Sequence, residues 1–134
     1  MKYLLDTSIC IYLIEKRPPE LLARFCEHAP GEIGVSAITV AELQYGVQKS
    51  QHAAQNQEAL DRFLAPLVIV DFDEPAAMAY GGIRASLESQ GTPIRALDTL
   101  IAAQAVSLGV TLVTNNTREF SRVPGLKPEN WAAA

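Results

Sequence analysis

Short apolar runs alternate with longer stretches in which apolar residues recur at helical spacing, and the alternation continues along the whole chain. Tyr3-Leu4-Leu5 runs into Asp6-Thr7-Ser8, which predicts a short strand buried on both faces, with Thr7 or Ser8 as the cap of a following helix. That helix is predicted over Ile9 to Lys16 and is interrupted by Arg17-Pro18-Pro19. Pro19 opens a second helix with Leu21, Leu22, Phe25 and Cys26 as its apolar stripe, ending near Ala29-Pro30-Gly31. Ile33-Gly34-Val35 reads as a second strand that stops at Ser36. From Ala37 to about Lys49 the pattern is helical again, with Ile38, Ala41 and Tyr45 on one face and Glu42 on the same inward stripe.

A helix from His52 to Pro66 follows, polar through Gln51, Gln55, Gln57 and Arg62 and apolar through Ala59, Leu60, Phe63 and Leu64. Leu67-Val68-Ile69-Val70 is the clearest strand, rich in β-branched residues. Asp73-Glu74-Pro75 caps a helix to about Gln90, in which Gly81-Gly82 suggests close packing against another backbone, since each glycine costs about 1 kcal/mol relative to alanine. After Gly91-Thr92-Pro93, a helix over Ile94 to Ala105 carries Asp98 at the start of a stripe formed by Ile101, Ala102 and Ala105, and Leu108-Gly109 ends it. Val110 to Val113 is a strand, Thr114 to Thr117 the loop at its carboxyl end, Arg118 to Phe120 a short turn, and the tail to Trp131 an ordered extension. Strands alternating with amphipathic helices imply an α/β fold with a parallel sheet covered on both sides.

The length of 134 residues is that of a single domain, taken as 1–134. A hydrophobic share of 49% and a charged share of 19% match a folded protein. No apolar run is long enough to span a bilayer, and the N-terminus lacks the features of a signal peptide, so the chain is expected in the cytoplasm. Cys10 and Cys26 lie in apolar helical patterns without metal-type spacing and are expected as buried, reduced thiols. The net charge of −4 argues against a generic nucleic-acid binder. Acids gathered on one cation reverse that argument locally, because the ion is then the largest charge present.

The acids are placed for such a gathering. Carboxyl ends of parallel strands face the ligand crevice of open α/β sheets, and both Asp6 and the loop from Thr114 to Glu119 occupy such ends. Asp6 reads equally as a helix cap. Glu42 has the spacing of a capping box with Thr39, but a helix start at Ser36 or Ala37 puts it beyond the first turn and favours a functional role. For Asp98 the helix dipole is worth only about 0.3–1 kcal/mol, too little to require an acid on the core face. Two carboxylates about 4 Å apart repel by roughly 4 kcal/mol at an effective dielectric of 20, so the cluster calls for a counter-cation. An all-oxygen donor set selects Mg²⁺ or Mn²⁺ over zinc.

The same residues carry a resemblance. LLDTS at 4–8, SAITVAELQYG at 36–46, LDTLIAAQA at 97–105 and LVTNNTREF at 112–120 resemble, in order and across nearly the whole chain, the four motifs of the PIN-domain nucleases, specifically the VapC toxins of bacterial toxin–antitoxin pairs. The resemblance implies a three-layer α/β/α sandwich around a parallel sheet, with Asp6, Glu42 and Asp98 as metal-binding and catalytic acids. It also implies Mg²⁺-dependent endoribonuclease activity on a structured RNA such as transfer RNA, a homodimer, and inhibition by a VapB-type antitoxin lying across the site. Thr7, Ser8 and Thr114 are then hydroxyls that orient carboxylates or water.

Two positions depart from the pattern. Asn116 stands where many relatives carry an acid, leaving Glu119 to complete the catalytic and metal-binding set and Asn116 to offer a neutral oxygen. Arg95 stands where relatives commonly have glycine, three residues before Asp98, where it either disturbs the site or holds a phosphate. These departures define the alternative reading, a non-catalytic RNA- or protein-binding module with a degenerate metal site. Neither His28 nor His52 lies in a motif, which disfavours a metal-free ribonuclease built on paired histidines. A haloacid-dehalogenase-type phosphatase requires an aspartate at position 8, which is Ser8. A receiver domain requires a lysine after the last core strand, where Thr114-Asn115-Asn116 stands.

Overall fold

The computed structural model describes residues 1–132. In chain order its elements are β1 (Tyr3–Leu5), α1 (Thr7–Ile14), α2 (Pro19–Cys26), β2 (Ile33–Ser36), α3 (Ala37–Gln48), α4 (Ala53–Leu64), β3 (Val68–Val70), α5 (Glu74–Ser89), α6 (Ala96–Leu108), β4 (Thr111–Val113), α7 (Thr117–Phe120) and β5 (Pro128–Glu129). The strands form one sheet in the order β3-β2-β1-β4-β5, and every pairing is parallel. Side chains of successive strand residues point to opposite faces. Leu5, Val35 and Val113 therefore pack into the layer of α1, α2, α3 and α4, whereas Leu4 and Leu112 pack against α5 and α6. The result is the expected α/β/α sandwich.

From β1 the chain steps outward to β2 and β3, then returns to the other side of β1 with β4 and β5. The direction reverses between β1 and β4, and the reversal opens a crevice at their carboxyl ends. Asp6 and Thr114 are the first residues beyond those two ends. The backbone N–H of Asp6 donates to the Val113 carbonyl at 3.0 Å, which fixes the two termini side by side. At β2, a side chain on Gly34 would come within 2.9 Å of the Val68 carbonyl oxygen, so only glycine lets β3 lie this close.

Several details differ from the pattern along the chain. Asp6, not Thr7 or Ser8, caps α1, because its carboxylate rather than a hydroxyl accepts the Ile9 N–H. The buried stripe of α3 is Thr39, Leu43 and Val47, and Tyr45 is 65% exposed. That helix is rotated about its axis relative to the stripe of Ile38, Ala41 and Tyr45. Ser36 caps it through the Ile38 N–H at 3.1 Å, which removes the capping-box reading of Thr39 and Glu42. The strand β3 is the sheet edge, with Ile69 48% exposed. Its β-branched run signals strand but does not distinguish an edge from a centre. Cys10 is buried as expected, whereas Cys26 is exposed at the end of α2. Among the described residues nothing packs against Gly81 or Gly82, since a side chain on either would meet nothing within 4 Å.

The tail adds a strand and an aromatic clasp. Pro128, which lacks a backbone donor, is tolerated because β5 is an edge strand. Beyond it, Trp131 is fully buried. Its ring stacks on His28 at 5.0 Å and meets Tyr3 edge-on at 4.9 Å. The Arg24 guanidinium lies 5.3 Å from the indole and pairs with Glu129 at 2.8 Å, while the indole N–H donates to the same carboxylate oxygen at 2.7 Å. Among the described residues no helix is long and apolar enough to cross a membrane.

Candidate active site

Local chemistry places each acid. Asp6 follows a buried strand and starts a helix, so the residue is only 5% exposed and its carboxylate accepts the Ile9 N–H at 2.9 Å. Ser8 donates to Oδ1 of Asp6 at 3.0 Å and Thr114 to Oδ2 at 2.5 Å. Burial raises the pKa of Asp6, these three bonds oppose the rise, and the charge of Glu42 adds to it. The hydroxyls are thus aimed at the ionised form of an acid that its surroundings otherwise discourage.

Glu42 projects from α3 toward α1, where Thr7 donates to its Oε1 at 2.6 Å and lies 3.3 Å from Thr39. Asp98 sits in the first turn of α6. Its pKa is pushed up to about 6, first by burial and then by the charges of Glu119, Asp6 and Glu42, with only Arg95 acting in the opposite direction. Glu119 is held by Asn116, whose amide donates to Oε2 at 2.5 Å. The Asn116 carbonyl oxygen accepts the Glu119 N–H at 3.4 Å and caps α7.

Asp6, Glu42, Asp98 and Glu119 line a single cavity of about 300 Å³, together with Thr7, Ser8, Arg95 and the two asparagines of the β4–α7 loop. Thr114 lies behind Asp6, fully buried. The donors are all oxygen, which suits a hard divalent cation and not a thiolate-loving one. The acids line one cavity with, among the described residues, a single cation on its wall, an excess of negative charge that a divalent ion would offset. As the side chains stand, among the described residues no three acidic, histidine or cysteine groups are gathered closely enough to hold an ion. Glu42 and Glu119 are instead bonded to Thr7 and Asn116.

Asn115 escaped the reading of the sequence. Its side-chain oxygen lies 2.9 Å from the Ser8 hydroxyl, whose one proton it shares with Asp6, and its amide donates to the Tyr12 hydroxyl at 3.0 Å, tying the β4–α7 loop to α1. The available signal was its position beside Asn116 in the loop that leaves a core strand.

Residues 3–126 match the PIN domain. The chain belongs to the PIN-domain family. Ribonuclease VapC2 of Haemophilus influenzae is 48% identical to it over 131 residues, 98% of each chain. The tRNA(fMet)-specific endonuclease VapC of Shigella flexneri is 42% identical over 132 residues, 98% of this chain and 99% of that one. Among solved structures, VapBC2 from Rickettsia felis bound to a DNA fragment from their promoter superimposes with a TM-score of 0.89 at 44% identity, covering 98% of this chain and 99% of that chain. Within the PIN-domain family the chain therefore groups with the VapC ribonucleases, and the cavity at the β1/β4 switch point is where this family member gathers its acids. The matched span ends at Leu126, before β5 and Trp131.

Proposed function

We propose that the chain is the ribonuclease toxin of a VapBC-type pair: a Mg²⁺-dependent endoribonuclease, with Mn²⁺ as a substitute, that cleaves a structured RNA of the transfer-RNA class. The observation that carries the proposal is the convergence of four carboxylates from four segments on one cavity with one basic side chain. Asp6, Glu42, Asp98 and Glu119 are the residues that would hold the ion. Such an ion supplies an activated water at neutral pH and neutralises charge developing on the leaving oxygen.

The chain's own residues set the orientation. Thr114, Ser8 and the Ile9 N–H fix both oxygens of Asp6, so that acid does not rotate away when RNA approaches. Thr7 steers Glu42 toward the cavity, and Asn116 steers Glu119, as neutral groups that donate to a carboxylate without cancelling its charge. The partner in this reading is a VapB-type antitoxin that silences the site by offering an arginine to the acids. The working unit is a homodimer, for which exposed Tyr45 and Met78 leave apolar surface.

The test is cleavage of a bacterial transfer-RNA pool by purified protein with Mg²⁺ or with EDTA, alongside melting curves at rising Mg²⁺. Metal-dependent cutting and a rise in Tm that Asp98→Ala abolishes are expected, since a ligand that binds only the folded state stabilises it. RNA binding without cleavage at any metal concentration would favour a binding module with a degenerate site.

A further inference from the structure

Building on that reading, we propose that Arg95 grips a phosphate of the RNA beside the one that is cut, and so supplies the anchoring charge that the rest of this acidic cavity lacks. Arg95 occupies the position before α6, with extended backbone angles of −58° and 146° and no capping bond from its side chain, and that exposed side chain is, among the described residues, the one basic group lining the cavity. Among the described residues its guanidinium makes no hydrogen bond and lies within 4 Å of no carboxylate. Lys2, Arg17, Arg24 and Arg84 each pair with a glutamate; other basic side chains such as Arg62, Arg118 and Arg122 are without such a pair among the described residues, but only Arg95 of them lines the cavity. A residue whose task was to neutralise Asp98 or Glu119 would be expected in contact with one of them. Arg95 instead stands at the cavity wall with its donors unspent.

The chemistry of that position suits phosphate. A guanidinium presents five N–H donors in a planar fork that matches two phosphate oxygens, and it stays charged at every working pH. The need follows from the charge of the molecule. A net charge of −4 and a cavity lined by acids repel a polyanion, and an ion held by the carboxylates offsets that repulsion only at the scissile group. A neighbouring phosphate needs its own cation, and among the described residues Arg95 is the one within the cavity.

Binding is measured without cleavage, with the full chain in EDTA and a bacterial transfer-RNA pool as the probe, across a range of salt concentrations. Arg95→Ala should weaken binding by about tenfold and flatten the dependence of log K on log salt by about 0.7, the value of one phosphate contact on a single strand. Arg95→Lys should recover most of the slope but only part of the affinity, because a point charge lacks the fork. Arg84→Ala, which removes a paired surface arginine, should change neither. With Mg²⁺ present, Arg95→Ala should raise KM more than it lowers kcat. Unchanged affinity and slope in Arg95→Ala, no measurable binding by the unaltered chain, or a lower Mg²⁺ requirement in Arg95→Ala as the only effect would each overturn the proposal, the last by making Arg95 a counter-charge. Failure of the nuclease reading is seen separately: the unaltered chain would bind but not cut, while the loss in Arg95→Ala would persist.

Discussion

Two clusters of polar groups meet at the end of β4 and follow opposite rules. Around Glu129, one carboxylate oxygen receives both the Arg24 guanidinium and the Trp131 indole, and aromatic rings close over them. Around Asp6, four acids share a cavity with one arginine that touches none of them, and the burial and mutual repulsion of these acids push Asp98 up to about 6. The backbone joins the clusters directly, because the Thr114 N–H donates to the Glu129 carbonyl at 3.0 Å while the Thr114 hydroxyl serves Asp6. The difference teaches how to tell a brace from a site: the first is internally balanced and asks for no further ligand, while the second is left unbalanced and is completed only by something it binds.

The comparison breaks most visibly by exchanging charges. Asp6→Asn should abolish RNA cleavage while retaining the helix cap, because asparagine still offers an oxygen to the Ile9 N–H; Glu129→Gln, in the balanced cluster, should leave cleavage within about twofold, given that exposed pairs contribute only about 0–1 kcal/mol. Parallel cleavage assays and circular dichroism of the two variants check this, and equal losses would erase the distinction.

Next in size is the brace itself. Trp131→Ala removes a fully buried indole and should lower folding stability by about 3–5 kcal/mol, read from denaturant midpoints. A loss below about 1 kcal/mol would mean that the clasp merely decorates the sheet edge.

Within the unbalanced cluster, Glu119→Gln removes a charge and Asn116→Ala removes only the group that steers it. The Mg²⁺ concentration for half-maximal cleavage should therefore rise by about tenfold or more in Glu119→Gln and by less in Asn116→Ala. Equal demand in Glu119→Gln and the unaltered chain would return Glu119 to the surface.

The smallest expected effect has the opposite sign. The folded-state pKa of Asp98, about 6, exceeds the ordinary value of 3.8, so the folded chain holds that proton more tightly. Below about pH 4 Asp98 is protonated in both states and its burial carries no charge penalty; the penalty accrues as pH rises from about 4 to about 6 and is constant above that. Asp98→Asn should consequently raise the Tm of the metal-free protein by a few degrees at pH 7 and leave it nearly unchanged at pH 4. A lower Tm at pH 7 would place Asp98 among the balanced groups.

Much of this contrast was legible residue by residue, and the unread part has a common cause. Asp6-Thr7-Ser8 and the loop after Val113 announce strand-to-helix transitions in local residue types, so their place at the switch point followed from the alternation of elements. Asp98 stood out because an acid headed an apolar stripe. The rotation of α3 was hidden, since Ala41 and Tyr45 satisfy helical spacing as well as Thr39, Leu43 and Val47 do, and only tertiary contact chooses between two stripes. The edge position of β3 and the pairing of Val113 with Glu129 depend on strand order, which no window of sequence contains. The clasp was obscured for the same reason: Arg24, His28 and Tyr3 lie far along the chain from Glu129 and Trp131, and proline and glycine in the tail argue locally against a strand.

Trp131 is the chain's single tryptophan, and its burial gives the molecule a built-in optical gauge. Excited at wavelengths that tyrosine does not absorb, the protein emits from one indole enclosed by Tyr3, His28 and Arg24. A red shift of that emission signals water reaching the clasp. Recorded against far-ultraviolet circular dichroism during unfolding, it tells whether the tail lets go before the sheet or together with it, without any label attached to the chain.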